Sequence, residues 1–193
     1  MSGRVLAITI IGFFGLAFTH RALAGPPLIC HPIEIGNAKS LPWGGGNGFD
    51  SDPKYDVKRV TADTLELLNP QTDVLVRMET MRRATLYVRE NRAAALELFS
   101  ALQARVLDAE AGGEPDGLAW FDAGYLAQTY AQLGIETNGK GQGPVGYDWA
   151  EKGLALRGND PGMEFALALM TFNGHGKNNL AAERPDHDAH VRK

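Results

Sequence analysis

The chain has 193 residues, a formal net charge of −4 and an apolar content of 44%. That length suits one domain. The acidic balance, with no dense cluster of Lys or Arg, argues against nucleic acid and anionic membrane as partners, because both demand a positive surface. A single cysteine leaves no internal disulfide, so packing alone must build the core.

The first 24 residues read as an address. Arg4 supplies a short positive start, Val5 to Phe18 is an uncharged apolar run, and Ala22-Leu23-Ala24 precedes Gly25-Pro26-Pro27. This is the pattern of a secretory signal peptide with an A-x-A cleavage site. The apolar run falls short of the ~20 residues that a spanning helix needs. We therefore expect a leader over 1–24, a mature chain from Gly25, a periplasmic or extracellular location and no membrane span after cleavage. Loss of Arg4 and Arg21 with no acid makes the mature chain more acidic still. Cys30 follows Leu28-Ile29 rather than small residues, which disfavours a lipid anchor.

Residues 25–60 form an irregular segment. Pro26, Pro27, Pro32, Pro42 and Pro53 and the run Trp43-Gly44-Gly45-Gly46-Asn47-Gly48 forbid a long helix. Leu28, Ile29, Ile33, Ile35, Leu41 and Trp43 are too apolar for a solvated tail, so an extended arm packed across the rest is expected.

Residues 61–173 carry helical periodicity, and the expected fold class is all-α. Thr61 to Leu68 is a short helix stopped by Asn69-Pro70. Asp73 caps a second, striped by Val74, Met78, Met81, Thr85 and Val88. A third carries Ala95, Phe99, Leu102, Val106 and Ala109 and ends at Gly112-Gly113. Asp116 opens a fourth with Trp120, Ala123, Ala127 and Tyr130 on one face, closing at Gly134. Tyr147 to Arg157 is a fifth, stopped at Gly158. Pro161 suits the first turn of the last, striped by Met163, Leu167 and Met170. Residues 174–193 read as a polar tail.

These helices come as antiparallel pairs. Leu126-Ala127-x-x-Tyr130 with Gly134, then Glu151-Lys152-Gly153-Leu154 and Asn159-Asp160-Pro161, resembles a tetratricopeptide repeat hairpin. Ala84-x-x-Tyr87 with Ala95 and Phe99 resembles a second, degenerate one. Gly153 and Gly158 depart from the alanine and proline usual there, and an insertion lies near Thr137 to Gly143. The resemblance implies a helical module that binds another envelope protein or a peptide.

Residues able to carry chemistry are few. Asp186, His187 and His190 in the tail, with His175 upstream, are ligand types for zinc, copper or nickel. Cys30-His31 is a soft pair that could hold copper or haem with help from elsewhere. The acid-rich tail and the apolar neighbours of Cys30 also fit a solvated tail and a packed cysteine. Trp43 to Phe49 is either a binding loop or a flexible bend. Arg77, Arg82, Arg83 and Arg89 could hold an anion, but Glu79 stands three and four residues before Arg82 and Arg83, the geometry of surface ion pairs, so a solvated face is expected. No pairing is evident for Asp122. Without H-E-x-x-H, G-x-S-x-G or a nucleophile beside a base, the chain leans away from catalysis. The expected function is a protein-interaction or structural module of the bacterial cell envelope with no resident cofactor. The alternative is a periplasmic protein holding a transition metal or haem.

Overall fold

The computed structural model describes residues 27–44, 49, 51–137, 145–172 and 190. Among these the fold is all-α, with seven α-helices. They are α1 (Pro27–Cys30), α2 (Val60–Leu67), α3 (Val74–Val88), α4 (Arg92–Ala111), α5 (Gly117–Leu133), α6 (Val145–Arg157) and α7 (Pro161–Thr171), with a 3₁₀ turn at Val57–Arg59 before α2. None of them is long and apolar enough to cross a membrane.

Side chains set the helix starts. The first amide groups of a helix have no internal partner, and a carboxylate or amide one step outside supplies it. Asp73 accepts from the Leu75 amide at 2.8 Å, Asn91 from Ala94 at 3.1 Å, Asp116 from Leu118 at 2.8 Å, and Asp160 from Gly162 and Met163 at 3.1 and 3.2 Å. Gly134 closes α5 with φ 69°, a left-handed conformation that glycine adopts without a Cβ penalty.

α5 is the hub. α6 packs against it over the greatest extent, and α3 and α4 flank it. The closeness of α5 and α6 comes from glycines seven residues apart on each helix. A Cβ on Gly124 would meet the Ala150 nitrogen at 2.4 Å, and one on Gly153 would meet the Gly117 oxygen at 2.6 Å. Glycine normally weakens a helix interior by ~1 kcal/mol; here its missing side chain lets two backbones touch. α3 and α4, the pair expected to form the degenerate hairpin, touch each other only lightly and each packs on α5 instead.

The arm lies against the helices, and Leu28, Ile29 and Leu41 are each 1% exposed. Its beginning differs from the extended run expected. Pro27–Cys30 forms one helical turn, which proline permits at a first helical position because the missing N–H has no helical acceptor there.

A cleft walled by the arm and the buried charges behind it

α3 does not present the solvated arginine face expected, except at its C-terminal end, where Arg89 is exposed beside Glu90. Arg77, Glu79 and Arg82 are at most 1% exposed. The Glu79 carboxylate accepts from Arg82 Nε at 2.7 Å and Nη2 at 2.9 Å, from Arg83 Nε at 2.8 Å and from the Ile33 amide at 3.1 Å. Arg82 Nη1 donates to the Ile29 carbonyl at 3.1 Å, and Arg83 Nη1 to the Leu41 carbonyl at 2.7 Å. Tyr87 donates its hydroxyl to the Pro42 carbonyl at 2.6 Å. The guanidinium carbons of Arg82 and Arg83 lie 5.3 and 5.7 Å from the centre of the Trp43 ring, in cation–π range. The expectation of a wet face fails because helical spacing of opposite charges is the same whether water or protein covers it. Here the cover is the arm, whose backbone carbonyls satisfy guanidinium donors that burial would otherwise leave unpaired.

This network fixes the Glu79 carboxyl below the usual carboxylate range. Burial alone would raise it, and the hydrogen bonds from Arg82, Arg83 and the Ile33 amide outweigh burial.

A second buried pair lies further along the same helix. Arg77 Nη1 donates to Asp122 Oδ2 at 2.6 Å and Arg77 Nε to the Thr72 carbonyl at 3.0 Å, with Nη2 on the Asn69 carbonyl. Asp122 Oδ1 has no partner among the described residues. Burial pushes the Asp122 carboxyl up to about 7 against the pull of Arg77, and burial likewise lowers the Arg77 guanidinium. A partner 45 residues away leaves no trace in local spacing.

A cleft of about 940 Å³ opens between the arm, the turn joining α2 to α3 and the turn joining α6 to α7. Leu28, Leu118 and Phe165 give it apolar surface, and Glu34, Asp73 and Asp160 stand among its lining residues. Arg157 also lines it, and its Nε is held by Asp160 Oδ2 at 3.2 Å. Fully buried Tyr125 contributes to its wall, and the Tyr125 hydroxyl has no partner among the described residues. The volume lies in the range of ligand pockets, ~300–1,000 Å³. Prolines hinted at the arm, but nothing local in the sequence marks three distant turns as neighbours.

The residues singled out for metal do not come together. His31 is exposed and lines the cleft. Cys30, a free thiol, is half-buried, and burial raises it against the nearby Arg82, which favours the neutral thiol over the ligating thiolate. His175, Asp186 and His187 lie outside the described residues, as do Gly45 to Gly48 of the glycine run. His190 is described, and both its ring nitrogens are engaged: Nδ1 stands 2.5 Å from Glu164 Oε2 and Nε2 2.9 Å from the Tyr147 hydroxyl. Among the described residues no three His, Cys, Asp or Glu side chains form a group able to hold a metal ion. Trp43 pairs with Ser51 through an isolated antiparallel bridge.

The chain matches no known protein family, no curated protein and no solved structure. The tetratricopeptide resemblance accordingly rests on its sequence motif alone.

Proposed function

We propose that this protein is an exported helical binding module of the bacterial cell envelope, with the arm-walled cleft as the surface that receives its partner. The observation that carries this reading is the cleft itself. Three chain segments far apart in sequence converge on it, and buried ion pairs hold one of them in place. Its lining combines apolar surface with a few polar groups, the composition of a binding pocket. Two of its carboxylates are already committed as helix caps, Asp73 on α3 and Asp160 on α7, which suits recognition better than proton transfer. The leader-like residues 1–24 supply the argument for export.

Site-specific photo-crosslinking in cells tests the reading. A photoreactive residue replaces exposed Gln71 or Phe165 at the cleft, or exposed Leu107 on α4 away from it. The reading expects discrete adducts from the two cleft positions in an envelope fraction, and none from Leu107. Equal labelling at all three positions, or a protein confined to the cytoplasm, would overturn it.

A further inference from the structure

We propose that the cleft takes an extended peptide segment carrying apolar side chains together with lysine or arginine. This rests on the binding reading above and assigns the chemical class of what is bound.

Charge supplies the first argument. Glu34, Asp73 and Asp160 are set against one guanidinium in the lining, Arg157, which Asp160 already neutralises, and one imidazole, His31. Two helix N-termini, of α3 and α7, meet the cleft. Such termini ordinarily attract anions, but here each carries its own aspartate, Asp73 accepting from the Leu75 amide and Asp160 from the Gly162 and Met163 amides. An anionic ligand would find these donors occupied and carboxylates facing it, whereas a cation would find Glu34 exposed and, among the described residues, without an ion-pair partner.

The main chain supplies the second. Along the non-helical run of the arm that walls the cleft, the Ile33 amide is engaged by Glu79, while the amide and carbonyl of Glu34 have no protein partner among the described residues. An extended peptide laid beside this run can pair with those groups, as a strand adds to a free edge. Alternating side chains would then point in opposite directions, one set toward Leu28, Leu118 and Phe165 and the other toward the acidic rim.

The experiment is isothermal titration calorimetry on the mature protein with four probes. These are a capped hexapeptide alternating leucine and lysine, the same peptide with glutamate for lysine, the same with serine for leucine, and decylammonium. The leucine–lysine peptide should bind at least tenfold more tightly than the other three, and less tightly as salt is raised. The double variant Glu34→Gln/Asp73→Asn should weaken it at least fivefold. Asparagine caps a helix as well as aspartate does, so this variant keeps the fold, which its melting temperature verifies. Phe165→Ser, at an exposed position, should also weaken it. Equal binding of the glutamate peptide, an unchanged Kd in the double variant, preference for decylammonium, or no peptide binding up to millimolar concentration would each overturn the proposal. If cleft crosslinks at Gln71 and Phe165 persist in those cases, the binding reading stands and only the ligand class falls; if the crosslinks are also absent, both fall.

Discussion

Gly124 on α5 and Gly146 on α6 face each other so closely that a Cβ on Gly124 would meet the Gly146 oxygen at 2.6 Å, and one on Gly146 would meet the Gly124 oxygen at 2.8 Å. Gly117 and Gly153 repeat the arrangement one step along the same two helices, at 2.8 and 2.6 Å. Contacts below 3.0 Å to rigid backbone cannot be relieved by a side-chain rotation, so the helices must part if a methyl is added.

Gly124→Ala should therefore destabilise the protein despite alanine's better helix propensity. Overpacking of a core costs ~1–3 kcal/mol, and backbone on the receiving side places this site at the upper end. Gly112→Ala is the control. Gly112 has φ −72°, and a Cβ there makes only ordinary contacts at 3.4 Å or more. Urea unfolding should show a clear loss for Gly124→Ala and no loss for Gly112→Ala. Equal midpoints for the two variants would mean that α5 and α6 do not touch as described.

The glycines also show what was legible in the sequence and what was not. Stops at Gly112, Gly134 and Gly158, starts at Asp73 and Asp116 and the first-turn Pro161 followed from local rules, since each acts within a few residues of itself. Gly117, Gly124, Gly146 and Gly153 act on a partner helix, and no rule within their own helix shows it. Gly153, which departs from the repeat motif, is where α6 meets the backbone of α5. The arginines of α3 failed for the same reason. The cover of Arg82 and Arg83 is the arm, 53 and 42 positions earlier in sequence, and periodicity within α3 carries no information about it. Asp122, which had no evident partner, pairs with Arg77 across the α3–α5 contact. The cleft was illegible because no local rule joins three turns.

Arg82→Met should cost about 3–5 kcal/mol, the loss expected when one partner of a buried pair is removed and the other charge stays behind. The double variant Arg82→Met/Glu79→Leu should recover part of that loss, because the charge left behind, Arg83, is partly exposed and keeps the Leu41 carbonyl. A double-mutant cycle from urea midpoints measures the coupling. Additive effects would indicate that the two side chains are solvated apart in solution.

Truncation of residues 25–43 should lower the melting temperature and promote aggregation, because Leu28, Ile29 and Leu41 leave the core and Glu79 loses the Ile33 amide. Leu41→Ala is a milder probe, with an expected loss of about 2–5 kcal/mol for a fully buried leucine. If the truncated protein melts like the form that begins at Gly25, the arm is not docked in solution.

For the tail histidines, the sequence alone suggests that replacing His187 and His190 leaves metal-free stability nearly unchanged. The structure separates them. His190 is 8% exposed at its side chain, against Glu164 and Tyr147. His190→Ala should cost about 1–3 kcal/mol in metal-free buffer, the range for disturbing a buried hydrogen-bonded group. Thermal melts in the presence of a chelator decide it, and an unchanged midpoint would show that His190 does not dock.

Two buried carboxyls with opposite shifts should give stability a maximum in mildly acidic solution. Glu79 is held below its ordinary value of 4.5, so its contribution is present above pH 4.5 and is lost as pH falls through the folded value. Asp122 is raised from 3.8 to about 7. Between those values the native state holds a proton that the unfolded chain releases. Its contribution is therefore complete below pH 3.8 and declines as pH rises toward 7. Urea midpoints taken from pH 3 to 8 should rise, peak at about pH 4, between the two unfolded values, and then fall. Asp122→Asn, which keeps an acceptor for Arg77 without the titrating proton, should flatten the upper limb and leave the lower one. Glu79→Gln should flatten the lower limb and leave the upper one, at reduced overall stability. An upper limb that keeps its full slope in Asp122→Asn would place the titration elsewhere and leave Asp122 ionised beside Arg77 throughout.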